Sequence, residues 1–211
     1  MKKKILIFNF CLLFINLSAQ NQKFMTFDKN VDEFEYNWTG NILFGNNFFL
    51  GDLYKKSSQK YLSNVSLSIE FNKQISSNNS IQFSISSGNN SGQNNSYENN
   101  DIEFRSNFSK FDLSFRKHLN HNKVEKFLIH FLTGFGYFNG NGYNQNNEYE
   151  IWSTYFPVGI EISFFNKNDW GLIFDVTNCF FLRDNIDNYI NESNGNDAQL
   201  SVNLGICYKL R

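Results

Sequence analysis

Proline is nearly absent from this sequence, one residue in 211. Without Pro-rich stretches there is no stiff linker, and no joint between two domains is indicated. Cysteine is scarce as well, three in all, which excludes a disulfide-dense scaffold. Neither sign of charge dominates, because 19 Lys and Arg stand against 20 Asp and Glu. No basic stripe runs through any segment, so nucleic acid is not an expected partner. Beyond the amino terminus there is also no apolar run that could cross a bilayer as a helix. The longest, Phe127 to Phe138, contains His130 and two glycines, and a spanning helix needs about 20 residues.

What is abundant points two ways at once. The chain holds 25 Phe and 10 Tyr, yet its mean hydropathy is −0.45, with Asn the leading polar residue. An AT-rich coding bias accounts for the amounts of Asn, Lys, Ile, Phe and Tyr. It does not account for their order.

The first residues read as an export signal. Lys2, Lys3 and Lys4 form a positive start, Ile5 to Leu17 is a short apolar run, and Ser18 and Ala19 are small. Cleavage is expected after Ala19. Cys11 lies inside the apolar run and not at its end, so it is not expected to carry a lipid. The expected organisation is a signal peptide over 1–19, a periplasmic segment over 20–36 and a β-barrel over 37–211.

In the remainder, apolar residues recur at every second position, the period of a strand with two different faces. Leu200, Val202, Leu204, Ile206, Tyr208 and Leu210 alternate with Gln199, Ser201, Asn203, Gly205, Cys207 and Lys209. The same split holds for Val65–Phe71, Ile81–Ile85, Phe111–Phe115 and Val158–Phe164. Leu43 interrupts it in the first segment, and Asn178 falls on an apolar face, where a bulge is expected. Eight strands are predicted, over 37–45, 62–71, 80–88, 105–118, 126–138, 151–165, 170–182 and 198–210. Connections 46–61, 89–104, 139–150 and 183–197 are long, and those between them are short, the alternation of a membrane barrel with external loops and periplasmic turns.

Volume decides which face points inward. The interior of an eight-stranded barrel is just filled by its own side chains, and some thirty large apolar residues would not fit there. Lipid accommodates them. The predicted fold is therefore an all-β, eight-stranded antiparallel up-and-down transmembrane barrel in a bacterial outer membrane, with its apolar side toward outer-membrane lipid.

Several polar positions carry candidate chemistry. Glu70, Lys110, Asp112, Arg116, Glu161, Asp175 and Lys209 fall on the inward set and are expected to form a structural charge network that plugs the lumen, since buried charges persist when paired. A conducting path is the sharper alternative. A Ser/His/acid hydrolase needs a base in contact with its nucleophile. His118 and His121 flank a short turn, and His130 faces inward near Thr133 with no Ser and carboxylate at its level, so no catalytic site is expected. Asp184, Asp187, Asn191 and Glu192 lack the spacing of an EF-hand loop. No metal or cofactor is expected. Cys179 and Cys207 lie at different levels and are expected to stay free thiols.

Several stretches also resemble a known family. Trp38 to Leu53, ending in Phe49-Leu50-Gly51-Asp52-Leu53, is similar to the first strand and its "GDL" end in small Bacteroidota outer-membrane barrels, a family that includes the PorG-type component of the type IX secretion machinery. Phe127 to Asn139 resembles the fifth strand. Phe156-Pro157-Val158-Gly159-Ile160 and Asn168-Asp169-Trp170-Gly171-Leu172 resemble the sixth strand and the turn after it, and Phe181 to Tyr189 looks like a degraded form of the family's "FTDYLDD" loop. The resemblance implies the barrel fold and, as partners, periplasmic proteins of the secretion machinery. Residues 20–36, the altered loop and the ending Tyr208-Lys209-Leu210-Arg211 depart from the family pattern.

Overall fold

The computed structural model describes residues 38–50, 64–76, 78–94, 102–119, 127–144, 147–166, 169–183 and 197–210. The signal peptide, the segment 20–36, the Gly51, Asp52 and Leu53 motif, His121 and the acidic group Asp184, Asp187, Asn191 and Glu192 lie outside the described residues.

Eight strands follow one another along the chain: β1 (Trp38–Leu50), β2 (Val65–Ser76), β3 (Asn79–Asn94), β4 (Ile102–His118), β5 (Phe127–Asn144), β6 (Asn147–Phe165), β7 (Trp170–Phe181) and β8 (Ala198–Leu210). Each pairs antiparallel with the next, and β8 returns to β1, which closes the barrel. The register has a definite stagger. Followed from Trp38 through Lys73, Ile81, Phe115, Thr133, Val158, Asn178 and Leu200, it comes back to Phe48, ten residues from its start. For eight strands that stagger sets a tilt of about 40° and a backbone radius of about 8 Å.

The alternation divides as the volume argument requires. Phe44 is 62% exposed, Leu113 59% and Leu204 60%, all on the outside, whereas Ser114, Glu161 and Gln199 on the inside are at most 1% exposed. On β8 the outward apolar residues run from Leu200 to Leu210. Ten residues at about 3.3 Å each, tilted by about 40°, rise about 25 Å, the height of the apolar band of a membrane barrel.

Three expectations need correction. The strands run further than the alternation suggested: β3 continues to Asn94, and β5 and β6 to Asn144 and Asn147. The connection expected over 139–150 is therefore mostly a hairpin, and strict long-short alternation of the loops does not hold. Ladder hydrogen bonds continue wherever two strands stay in register, and polar side chains do not end them. No bulge occurs at Asn178, where both ladders run unbroken; the register shift is between Gln74 and Ser76. Leu43 does not blur β1, because it is a fully buried inward residue. The tight turn before β7 includes Asp169 at φ 65°, a conformation that Asp tolerates better than most side chains.

Candidate functional site

The lumen is stacked in three layers. At the end of the long connections, Phe49, Phe108, Phe138, Ile151, Tyr155, Cys179 and Phe181 form an apolar cap. Its rings interlock: Phe108 stacks on Phe138 at 5.2 Å, and Phe138 meets Phe181 edge-on at 5.1 Å. Such pairs add to plain area burial. Sequence reasoning placed only small and polar residues inside and missed this layer. The signal was present, since stepping by two from Lys110 reaches Phe108, and from Gly136 reaches Phe138.

Beneath the cap lies a polar middle. Glu70 accepts hydrogen bonds from the Asn41 and Gln82 amides, both at 2.8 Å. Asp112 accepts from the Ser84 hydroxyl at 2.6 Å and from the Tyr155 hydroxyl at 2.9 Å. Asp175 accepts from Thr177 and Asn203, both at 2.7 Å. Lys110 donates to Gln199 at 3.0 Å, and Gln199 donates in turn to Asn90 at 2.7 Å. A cavity of about 30 Å³ remains between the serines of β2 and β3 and the Asp112 and Asp175 carboxylates, room for two or so waters. Gly136 makes one of these bonds attainable. It sits between Asp112 and Tyr155 in the ladders, and a Cβ there would come within 2.2 Å of the Tyr155 ring.

At the end of the short turns the floor is ionic with an apolar underlay. Arg116 is ion-paired to Glu161 inside the wall, and its guanidinium also reaches His130 Nδ1 at 3.2 Å. His130 lies 3.5 Å from Glu161 and its ring is 5.2 Å from that of His118. A carboxylate stands at the level of His130, because Glu161 is its register partner. It is held by a guanidinium. Thr133 points outward. Leu43, Phe165, Ile173 and Cys207 pack around the floor.

The seven inward charges thus do not form one mutually neutral network. Among the described residues, Arg116–Glu161 is the carboxylate–guanidinium pair of the lumen. Glu70, Asp112 and Asp175 are held by neutral amides and hydroxyls, and Lys110 by a glutamine. Asp112 is only half-buried, and Lys209 sits at the rim with its ammonium 4.6 Å from the Phe165 ring. Cys179 and Cys207 are both buried free thiols; Cys179 pairs across with Gln199, eight positions above Cys207 on β8. No helix among the described residues is long and apolar enough to cross a membrane, a criterion that does not bear on barrels.

The outer wall changes character on one side only. β2 stays paired to β3 up to Gly88, and β7 to β6 up to Tyr155. Beyond those points β3 to β6 continue as a four-stranded sheet. Its outward side chains lie in register rows: Ser87, Ser109, Asn139 and Trp152, then Asn89, Asn107, Asn141 and Glu150, then Ser91, Arg105, Tyr143 and Glu148. The row just before these is Ile85, Phe111 and Tyr137. Apolar gives way to polar in one step on three strands. Tyr143 donates to Glu148 at 3.2 Å, and the negative charge there pushes the phenol above its ordinary pKa. Arg183 lies over the Trp152 ring, 3.2 Å from its centre.

No family model matches the chain, and no curated protein does. Solved structures match in fold. The attachment invasion locus protein Ail of Yersinia pestis aligns over 82% of this chain and 98% of its own, at 11% identity and a TM-score of 0.50. A major outer membrane protein of Thermus thermophilus aligns over 82% and 99%, at 9% identity and a TM-score of 0.55. Neisserial surface protein A aligns over 82% and 97%, at 10% identity and a TM-score of 0.50. The chain has the closed eight-stranded barrel fold of these outer-membrane proteins.

Proposed function

We propose that this chain is a non-enzymatic integral protein of a bacterial outer membrane, an anchored envelope scaffold with a sealed lumen. The observation that carries the reading is the inverted wall, with large apolar residues on the outside and hydrogen-bonded polar residues within. In water that arrangement exposes the wrong face; in lipid it satisfies both. Buried aromatic rings at one end of the bore and a buried ion pair at the other favour a plug over a pore. Each lumen carboxylate already accepts bonds from wall residues, which favours structure over catalysis. The test is refolding into phospholipid vesicles. A barrel should insert, resist protease and migrate faster on gels before boiling than after, and a chain freely soluble without detergent would sink the reading.

The finer role is that of an accessory of protein export. It rests on the resemblance of Trp38–Leu53 and Phe127–Asn139 to PorG-type barrels, with the periplasmic turns and residues 20–36 as the surface for periplasmic partners. Deleting the gene should then abolish secretion of cargo carrying the carboxy-terminal signal, and unchanged secretion removes this role. A surface barrel that touches host or neighbouring cells is the second reading. The raised β3–β6 sheet favours it, and the similar Ail is named for attachment and invasion. Trimming within 89–104 and 183–197 should then reduce adhesion while the barrel stays folded.

A further inference from the structure

We propose that the raised outward face of β3 to β6 binds the sugar core of a glycolipid lying beside the barrel in the same leaflet. The inference rests on the outer-membrane reading and adds a ligand class to it. It starts from a departure from strand chemistry. Asn is disfavoured in strands, yet Asn89, Asn107, Asn139 and Asn141 stand together on one exposed face of three adjacent strands. Coding bias supplies asparagines without gathering them on a face.

Position selects the occupant. The amide face begins at the row where the outward apolar residues Ile85, Phe111 and Tyr137 end, on the same side of the same strands. Its side chains point sideways from the barrel, over the leaflet and not up into the medium. What adjoins acyl chains in that direction is the headgroup zone, which in an outer leaflet is made of sugars.

Chemistry agrees. Each carboxamide both donates and accepts, matching sugar hydroxyls, which do the same. Tyr143 and Trp152 are 48% and 47% exposed, offering ring surface to the apolar side of a sugar. Arg183, stacked on Trp152 at the lower edge, supplies a guanidinium at the level of headgroup phosphate. The face itself carries Arg105 against Glu148 and Glu150, one cation to two carboxylates, an excess that repels a sulfated glycan and tolerates a neutral one.

The test uses the full chain in nanodiscs, titrated with lipopolysaccharide bearing a complete core, with the same glycolipid cut back to its innermost sugars, and with free core oligosaccharide. The complete-core form should bind about tenfold more tightly than the truncated one, the scale of a few net hydrogen bonds. Asn107→Ala combined with Asn139→Ala and Asn141→Ala should bring the two forms to parity. Asn107→Ser with Asn141→Ser is the gentler variant, since Ser already occupies neighbouring sites, and heat-dependent gel mobility checks the fold of both. Equal affinity for the two glycolipids in the unaltered chain overturns the proposal, as does undiminished discrimination in both variants. Free oligosaccharide binding as tightly as the glycolipid overturns the leaflet source, and two copies joining through this face in one nanodisc overturns the ligand. Failure to insert at all overturns the outer-membrane reading too, and is told apart because no titration can then begin.

Discussion

The two ends of the lumen are closed by opposite kinds of chemistry. At one end aromatic rings and an isoleucine interlock; at the other, Arg116 and Glu161 pair with His130 alongside. At the floor the outer wall is apolar, whereas at the cap it stays apolar at the end of β7, with Phe180 and Leu182, and turns polar on β3 to β5. The difference teaches that outward positions answer to the medium at their level, whereas each inward position answers only to the few side chains across an axis about 8 Å away. Rings keep water out by filling space. An ion pair does so only while both partners remain.

That contrast makes the floor the more brittle end. Arg116→Ala should cost about 4 kcal/mol, because it leaves a buried carboxylate without its cation, and Arg116→Met with Glu161→Leu should recover most of that loss. Urea unfolding of the barrel in vesicles measures both; equal costs for the single and double variants would remove the distinction between the two ends. Phe138→Ala in the cap should cost about 3 kcal/mol through lost packing and an added cavity, with no charged partner whose removal restores it. Leu113→Arg, on the outer wall and 59% exposed, should cost about 2 kcal/mol if lipid surrounds it and nothing if water does. The smallest effect is expected where the middle layer meets the cap. Tyr155→Phe removes one of the bonds to Asp112 and should cost about 1 kcal/mol, since the Ser84 and Ser114 hydroxyls remain.

Much of the fold was legible because strand periodicity is a local property. Leu200 to Leu210 alternates with Gln199 to Lys209 in the chain, and the same residues divide outward and inward in the barrel. The strand ends were not legible. Beyond Ile85 and Tyr137 the outward residues turn polar, so the amphipathic signal fades while the ladders continue to Asn94 and Asn144. The cap was missed for a related reason. Phe108 and Phe138 are apolar residues on the polar face, and their place follows only when the period is carried past the clear segment. The partners of the inward charges were hidden altogether. Lys110 meets Gln199 and Arg116 meets Glu161 across the bore, contacts that depend on the stagger of the whole ring.

By itself the order of residues determined a closed barrel of eight strands with its greasy side out, since period two and the bulk of Phe, Ile and Leu leave no other packing. Only the tertiary structure decided how the bore is sealed, which charges meet, and that one wall rises past its neighbours. Those outcomes depend on a ten-residue stagger that no single strand encodes. It appears when all eight ladders close at once.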